Sequence, residues 1–128
     1  MEERWWDDRL RAARRETQQQ KVHIREQIEV RSSAAMRAAY DGVILPALEA
    51  FAPEFLLISA GFDAHEADPL AGLEWQAEDY AWLTRRLCDL AGRHAFGRIV
   101  STLEGGYDLA ALQASVAAHV GVLEERGR

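Results

Sequence analysis

Apolar positions along this chain fall into runs whose spacing names a secondary structure. Met36, Tyr40, Val43, Ile44, Ala47, Leu48 and Phe51 recur at helical intervals, which predicts a helix with one buried face from Ser33 onward. Ser32 or Ser33 can cap its start. Pro46 lies inside the pattern and lacks an amide proton, so it predicts a kink or a break in the hydrogen-bond ladder. Pro53 follows the last turn, a usual place for a stop. Phe55-Leu56-Leu57-Ile58-Ser59-Ala60 is a short apolar run ending at Gly61, and its length predicts a strand buried on both faces. A polar loop from Phe62 to about Leu73 follows. Tyr80, Leu83, Leu87 and Leu90 give a second helical face, with Gly92 near its end. Arg98 to Leu103 reads as a second strand, and Leu109, Leu112, Val116, Val120 and Leu123 supply a third helical face. The order helix, strand, helix, strand, helix predicts an α/β fold built on a right-handed βαβ unit with parallel strands.

Residues 1–32 break this pattern. Acidic and basic side chains alternate there, Gly and Pro are absent, and good helix formers dominate, which predicts a charged helical extension. Trp5, Trp6, Leu10, Val22, Ile24 and Ile28 form no unbroken stripe, so such a helix is held weakly unless Trp5 and Trp6 dock on a partner. The compact α/β region is expected to be residues 33–128.

Composition narrows the function. The net charge of -6 argues against a general nucleic-acid binder, because neutralising phosphates needs a surplus of Lys and Arg. It leaves a cationic substrate open. Cys88 is the single cysteine, which excludes an intrachain disulfide and a Cys-rich zinc site. No apolar run approaches the roughly 20 residues needed to cross a bilayer, and Met1-Glu2-Glu3-Arg4 leads into no apolar core. No membrane partner and a cytoplasmic location are expected.

In parallel α/β sheets, ligands bind beyond the carboxyl ends of the strands. Both unusual loops, Gly61-Phe62-Asp63-Ala64-His65 and Glu104-Gly105-Gly106-Tyr107, fall there. Asp63 can face a cleft as a hard oxygen ligand for a divalent metal, or bond its own backbone in a turn. Asp63 and His65 are two apart and would project to one side if the segment is extended, so joint ligation is a second option. Asp68-Pro69 reads as a turn or cap. Gly105-Gly106 could cradle a phosphate at a helix start, or permit a tight turn that presents Tyr107 to a pocket. The Tyr107 hydroxyl could donate to a developing oxyanion, or serve as a packing tyrosine with a wet tip. His23, His94 and His119 read as incidental, with His119 partly covered on the surface of the last helix. Cys88 reads as a small core residue.

Taken together, Ile58-Ser59-Ala60-Gly61-Phe62-Asp63-Ala64-His65 with Asp68-Pro69-Leu70, and Leu103-Glu104-Gly105-Gly106-Tyr107-Asp108-Leu109, resemble two signatures of the histone deacetylase and acetylpolyamine amidohydrolase superfamily. Ile44-Leu45-Pro46-Ala47-Leu48 and Phe51-Ala52-Pro53-Glu54 fit the same pattern, which runs from about Ala34 to Leu123 and looks closest to the bacterial acetoin-utilisation and class II-like branch. The resemblance implies the C-terminal βαβα part of a three-layer α/β/α arginase/deacetylase-like sheet. It also implies zinc chemistry, with acetylated lysine or a small acetylated amine as substrate. Asp63 matches a zinc ligand and Tyr107 the tyrosine that stabilises the oxyanion. Gly105, Gly106 and Leu70 match positions along the acyl tunnel. Asp68, Pro69 and His65 match supporting positions, and His65 matches no ligand.

The tandem His-His motif that the resemblance calls for is absent, and so, in its usual place upstream of these signatures, is the Asp-x-His segment that supplies the family's first two zinc ligands. The expectation is therefore a deacetylase fragment inactive alone, from a fusion or a truncated or frameshifted gene. A split enzyme completed by another chain, and a non-catalytic interaction module, are the competing expectations. A fragment of so large a sheet would keep an open edge, which predicts self-association or docking to a partner.

Overall fold

The computed structural model describes residues 31–127. Within them the order is α1 (Ser33–Ala39), a π turn (Tyr40–Ile44), α2 (Leu45–Phe51), β1 (Leu56–Ala60), α3 (Ala77–His94), β2 (Ile99–Leu103) and α4 (Leu109–Arg126). The extension and its Trp5-Trp6 pair lie outside the described residues.

Local chemistry sets the boundaries. Ser32 caps α1, its hydroxyl accepting from the Ala35 amide at 3.2 Å. Pro46 cannot donate, and the ladder answers just before it: the Leu45 amide reaches back to the Tyr40 carbonyl, one residue further than an α-helix allows. The expected break is thus a π bulge that keeps the chain helical. α2 ends where Ala52 turns left-handed (φ 49°), ahead of the buried Pro53.

β1 and β2 are parallel and in register from Leu56 opposite Ile99 to Ala60 opposite Leu103. They form a two-stranded sheet among the described residues. Leu56 and Ala60 are buried, and Leu56 packs with Leu90, Ala91 and Ala95 of the α3 end and with Leu48 of α2. Ala60 and Ile58 belong to a second cluster with Met36, Phe62, Trp75, Tyr80, Leu112 and Val116. The helices therefore cover one face of the sheet.

The other face differs from expectation. Leu57 is 68% exposed and Val100 49%, and Ser59 and Thr102 beside them are also exposed. The run is apolar on both sides, as in strands of fully covered parallel sheets, yet the described residues cover only one side. The third helical face is also rotated from its expected position. Ala111, Ser115, His119 and Val122 are the buried residues of α4, while Val120 and Leu109 are exposed.

A buried carboxylate locks α1 to α3. Asp79 is 1% exposed and accepts from both Arg37 Nε (3.0 Å) and Nη2 (2.9 Å) on one oxygen. Its other oxygen takes the Gln76 amide at 2.8 Å and a close bond from the Ser33 hydroxyl. Burial pushes its pKa up, but the Ser33, Gln76 and Arg37 donors outweigh burial and hold it below the ordinary aspartate value.

Candidate functional site

Two loops leave the carboxyl ends of the strands and continue their pairing. The Glu104 amide donates to the Ala60 carbonyl at 2.9 Å, and the Phe62 amide to the Gly105 carbonyl at 2.8 Å. Phe62 then anchors the first loop. It is 4% exposed, its ring 5.0 Å from Tyr80 and edge-on to His119 at 5.7 Å. Further along, the Trp75 amide donates to Ala64 and the Glu66 amide to Trp75, so the long loop folds back on itself.

Asp63 sits between two glycines. A Cβ added at Gly61 would lie 3.0 Å from one carboxylate oxygen, and one at Gly105 would lie 3.0 Å from the other. Each glycine thus makes room for the carboxylate, and no hydrogen bond to its oxygens is made by the described residues. Gly106 has φ 138°, which only glycine adopts freely, and a Cβ there would meet Leu112 at 2.8 Å. This turn delivers Tyr107 to the surface, 57% exposed, immediately before Asp108. Asp108 caps α4 by accepting from the Ala111 amide at 2.8 Å.

His65 is half-buried. Its Nδ1 accepts from the Ala67 amide at 3.1 Å, a local turn contact. Pro69 and Leu70 are exposed, Leu70 by 71%. Asp68 is more than a turn residue. It is 7% exposed, with Oδ1 accepting from Leu70 (2.9 Å) and Ala71 (3.4 Å) and Oδ2 accepting from the Tyr107 amide (2.9 Å). Burial pushes its pKa up, and the amides of Leu70, Tyr107 and Ala71 together with nearby His65 bring it below the usual value.

Beneath the loop, the Tyr80 hydroxyl is buried without a hydrogen-bond partner of good geometry. Burial, and then the charge of Asp63, push its pKa well up, while the facing Ala64 and His65 amides oppose the shift. His119 was expected on the surface, but it is 7% exposed and bridges α3 to β2. Its Nδ1 lies 2.7 Å from Thr84 Oγ1 and its Nε2 2.8 Å from Ser101 Oγ. Burial lowers its pKa. The signal for it was present in the sequence: His119 stands seven residues after Leu112, on the same stripe of α4. Cys88 is half-buried, with its thiol pKa raised by burial, and His94 closes α3 beside Glu49.

A catalytic zinc takes three protein ligands. Among the described residues no three His, Cys, Asp or Glu side chains come together. Asp63 supplies one carboxylate, so these residues alone do not fit a closed zinc site.

Comparison with known proteins gives this geometry its family. Residues 8–123 match the histone deacetylase domain, and the chain belongs to that family. The match begins well before Ala34. The chain is 48% identical over 83 residues to a protein named histone deacetylase 10, chloroplastic, from Oryza sativa subsp. japonica, covering 65% of this chain and 19% of that protein. It is 41% identical over 73 residues to a histone deacetylase-like amidohydrolase of Pseudomonas aeruginosa, covering 57% of this chain and 19% of that one. A crystal structure of the HDA15 HD domain superposes with a TM-score of 0.68 at 37% identity, over 74% of this chain and 26% of that one. The fold is therefore a fragment of the deacetylase domain. The chain spans about a fifth of the length of these curated relatives and about a quarter of the solved domain.

Proposed function

We propose that this chain is the C-terminal part of a zinc-dependent deacetylase acting on an acetyl amide of lysine or of a small amine, and that it is inactive until another segment completes it. The observation that carries this reading is the meeting of two loops at the strand ends: one cradles the Asp63 carboxylate between glycines, the other presents Tyr107. In the completed site Asp63 would be one metal ligand, and the metal would polarise the acetyl carbonyl. Tyr107 donates its hydroxyl proton as a hydrogen bond to the acetyl oxygen, and that bond strengthens as the oxygen gains negative charge. Water adds to the carbonyl carbon, the C–N bond breaks, and acetate and a free amine leave. The missing histidines, which would move the protons, belong to the completing segment.

A second reading rests on the open sheet face. Leu57 and Val100, with Phe55 and Leu103 near them, expose apolar surface that an interaction module would use. The same surface would take the completing segment, or a second copy.

The test mixes the chain with the N-terminal three-quarters of a deacetylase domain and follows acetate release from an acetyl-lysine peptide. Activity is expected only in the mixture, and Tyr107→Phe lowers it on the order of 100-fold or more. A mixture that forms but stays inactive, with binding indifferent to Asp63→Ala and Tyr107→Phe, would favour the interaction module.

A further inference from the structure

Tyr107 is exposed and carried by a glycine turn, two features that leave a side chain free to wander, yet a catalytic hydroxyl has to be held within a fraction of an ångström. Its main chain is fixed from both sides. On the C-terminal side, the Asp108 cap ties the next residue to the first turn of α4. On the N-terminal side, the Tyr107 amide is bound by a carboxylate 39 residues away in sequence. We propose that Asp68 is the positioning residue for Tyr107: one buried carboxylate clamps the Tyr107 main chain to the Leu70 rim, so that the two walls of the site entrance move as one body.

The geometry requires a carboxylate rather than any polar group. The two oxygens accept in different directions, Oδ1 from Leu70 and Ala71 within the first loop and Oδ2 from Tyr107 in the second. An asparagine has one acceptor oxygen and one donor nitrogen, so it would keep one side of the clamp and turn a donor against an N–H on the other. A carboxylate bonded by three amides is also rigid, because each lone pair it turns toward one donor fixes its plane for the others. The catalytic consequence rests on the deacetylase reading above; the clamp itself does not.

The clamp is tested first in the full chain, without any variant. A scalar coupling across the hydrogen bond between the Tyr107 amide nitrogen and the Asp68 carboxyl carbon is expected by NMR, and a protected Tyr107 amide without that coupling would overturn the clamp. In the completed enzyme, Asp68→Asn is expected to lower kcat on the order of 10- to 100-fold with KM changed about two-fold or less. An unchanged kcat for Asp68→Asn, in a mixture where Tyr107→Phe abolishes activity, would overturn the positioning role. A Tyr107→Phe mixture as active as wild type would instead refute the oxyanion role, and with it the consequence for catalysis. If Asp68→Asn does not fold, the coupling in the unaltered chain still decides the clamp.

Discussion

The two faces of the sheet are made from similar residues and have different fates. On one, Leu56, Ile58 and Ala60 point into clusters built by all four helices, and Ser101 is tied through His119 to Thr84. On the other, Leu57 and Val100 stand largely in solvent beside Ser59 and Thr102. A strand that is apolar on both sides suits a sheet covered on both sides. Under the proposed function, the apolar positions on the open side are where a completing segment would sit. The strand-end loops follow the same division: glycines make room for the Asp63 carboxylate and Asp68 holds the Tyr107 amide, while no three metal-ligating side chains come together among the described residues.

The covered face should be the costly one to disturb. Leu90 is 0% exposed, so Leu90→Ala is expected to destabilise by about 2–5 kcal/mol in chemical denaturation. Asp79→Ala leaves Arg37 without its partner and removes the α1–α3 lock. A loss of about 1–3 kcal/mol is expected, because the bonds from Ser33 and the Gln76 amide to the buried carboxylate are lost, while Arg37, 38% exposed, can be re-solvated.

A smaller effect comes from His119. Its folded pKa lies below 6.5, so the unfolded chain binds more protons in that window. Stability is expected to fall as pH drops below about 6.5 and to level off once the folded state is protonated too. His119→Gln should flatten that slope; an unaltered slope would remove His119 as its cause. The smallest effect belongs to the open face, where Leu57→Ser is expected to change the stability of the chain alone by about 0.5 kcal/mol or less. In the mixture with a completing segment the same substitution should weaken association, which titration calorimetry would read.

Much of the fold was legible because periodicity survives in short windows. The strands begin one residue later than expected, at Leu56 and Ile99, and the helices fall on the expected segments. The misses lie where tertiary neighbours decide the outcome. Continuous apolarity from Phe55 to Ala60 says both faces want cover, and cannot say whether cover is present. Pro46 announced a disturbed ladder without showing that a π bulge absorbs it. The placement of Asp63 and Tyr107 in the strand-end loops was legible because glycines at strand ends mark places where a backbone must turn sharply. The bond from Asp68 to the Tyr107 amide was not, since 39 residues separate partners that no local pattern connects. His119 was misjudged by reading Val120 as the inward residue, a shift of one position that rotates a helical face by about 100°.

In the proposed function this chain would carry part of a deacetylase site and another segment would supply the remainder. Zinc stoichiometry of the purified chain, after dialysis against a zinc-buffered solution, tests it most directly. Far less than one zinc per chain is expected, rising to one per complex when the completing segment is added and falling again with Asp63→Ala. Near-equimolar zinc on the chain alone, lost in Asp63→Ala, would contradict the claim by showing that the site closes without a second kind of polypeptide.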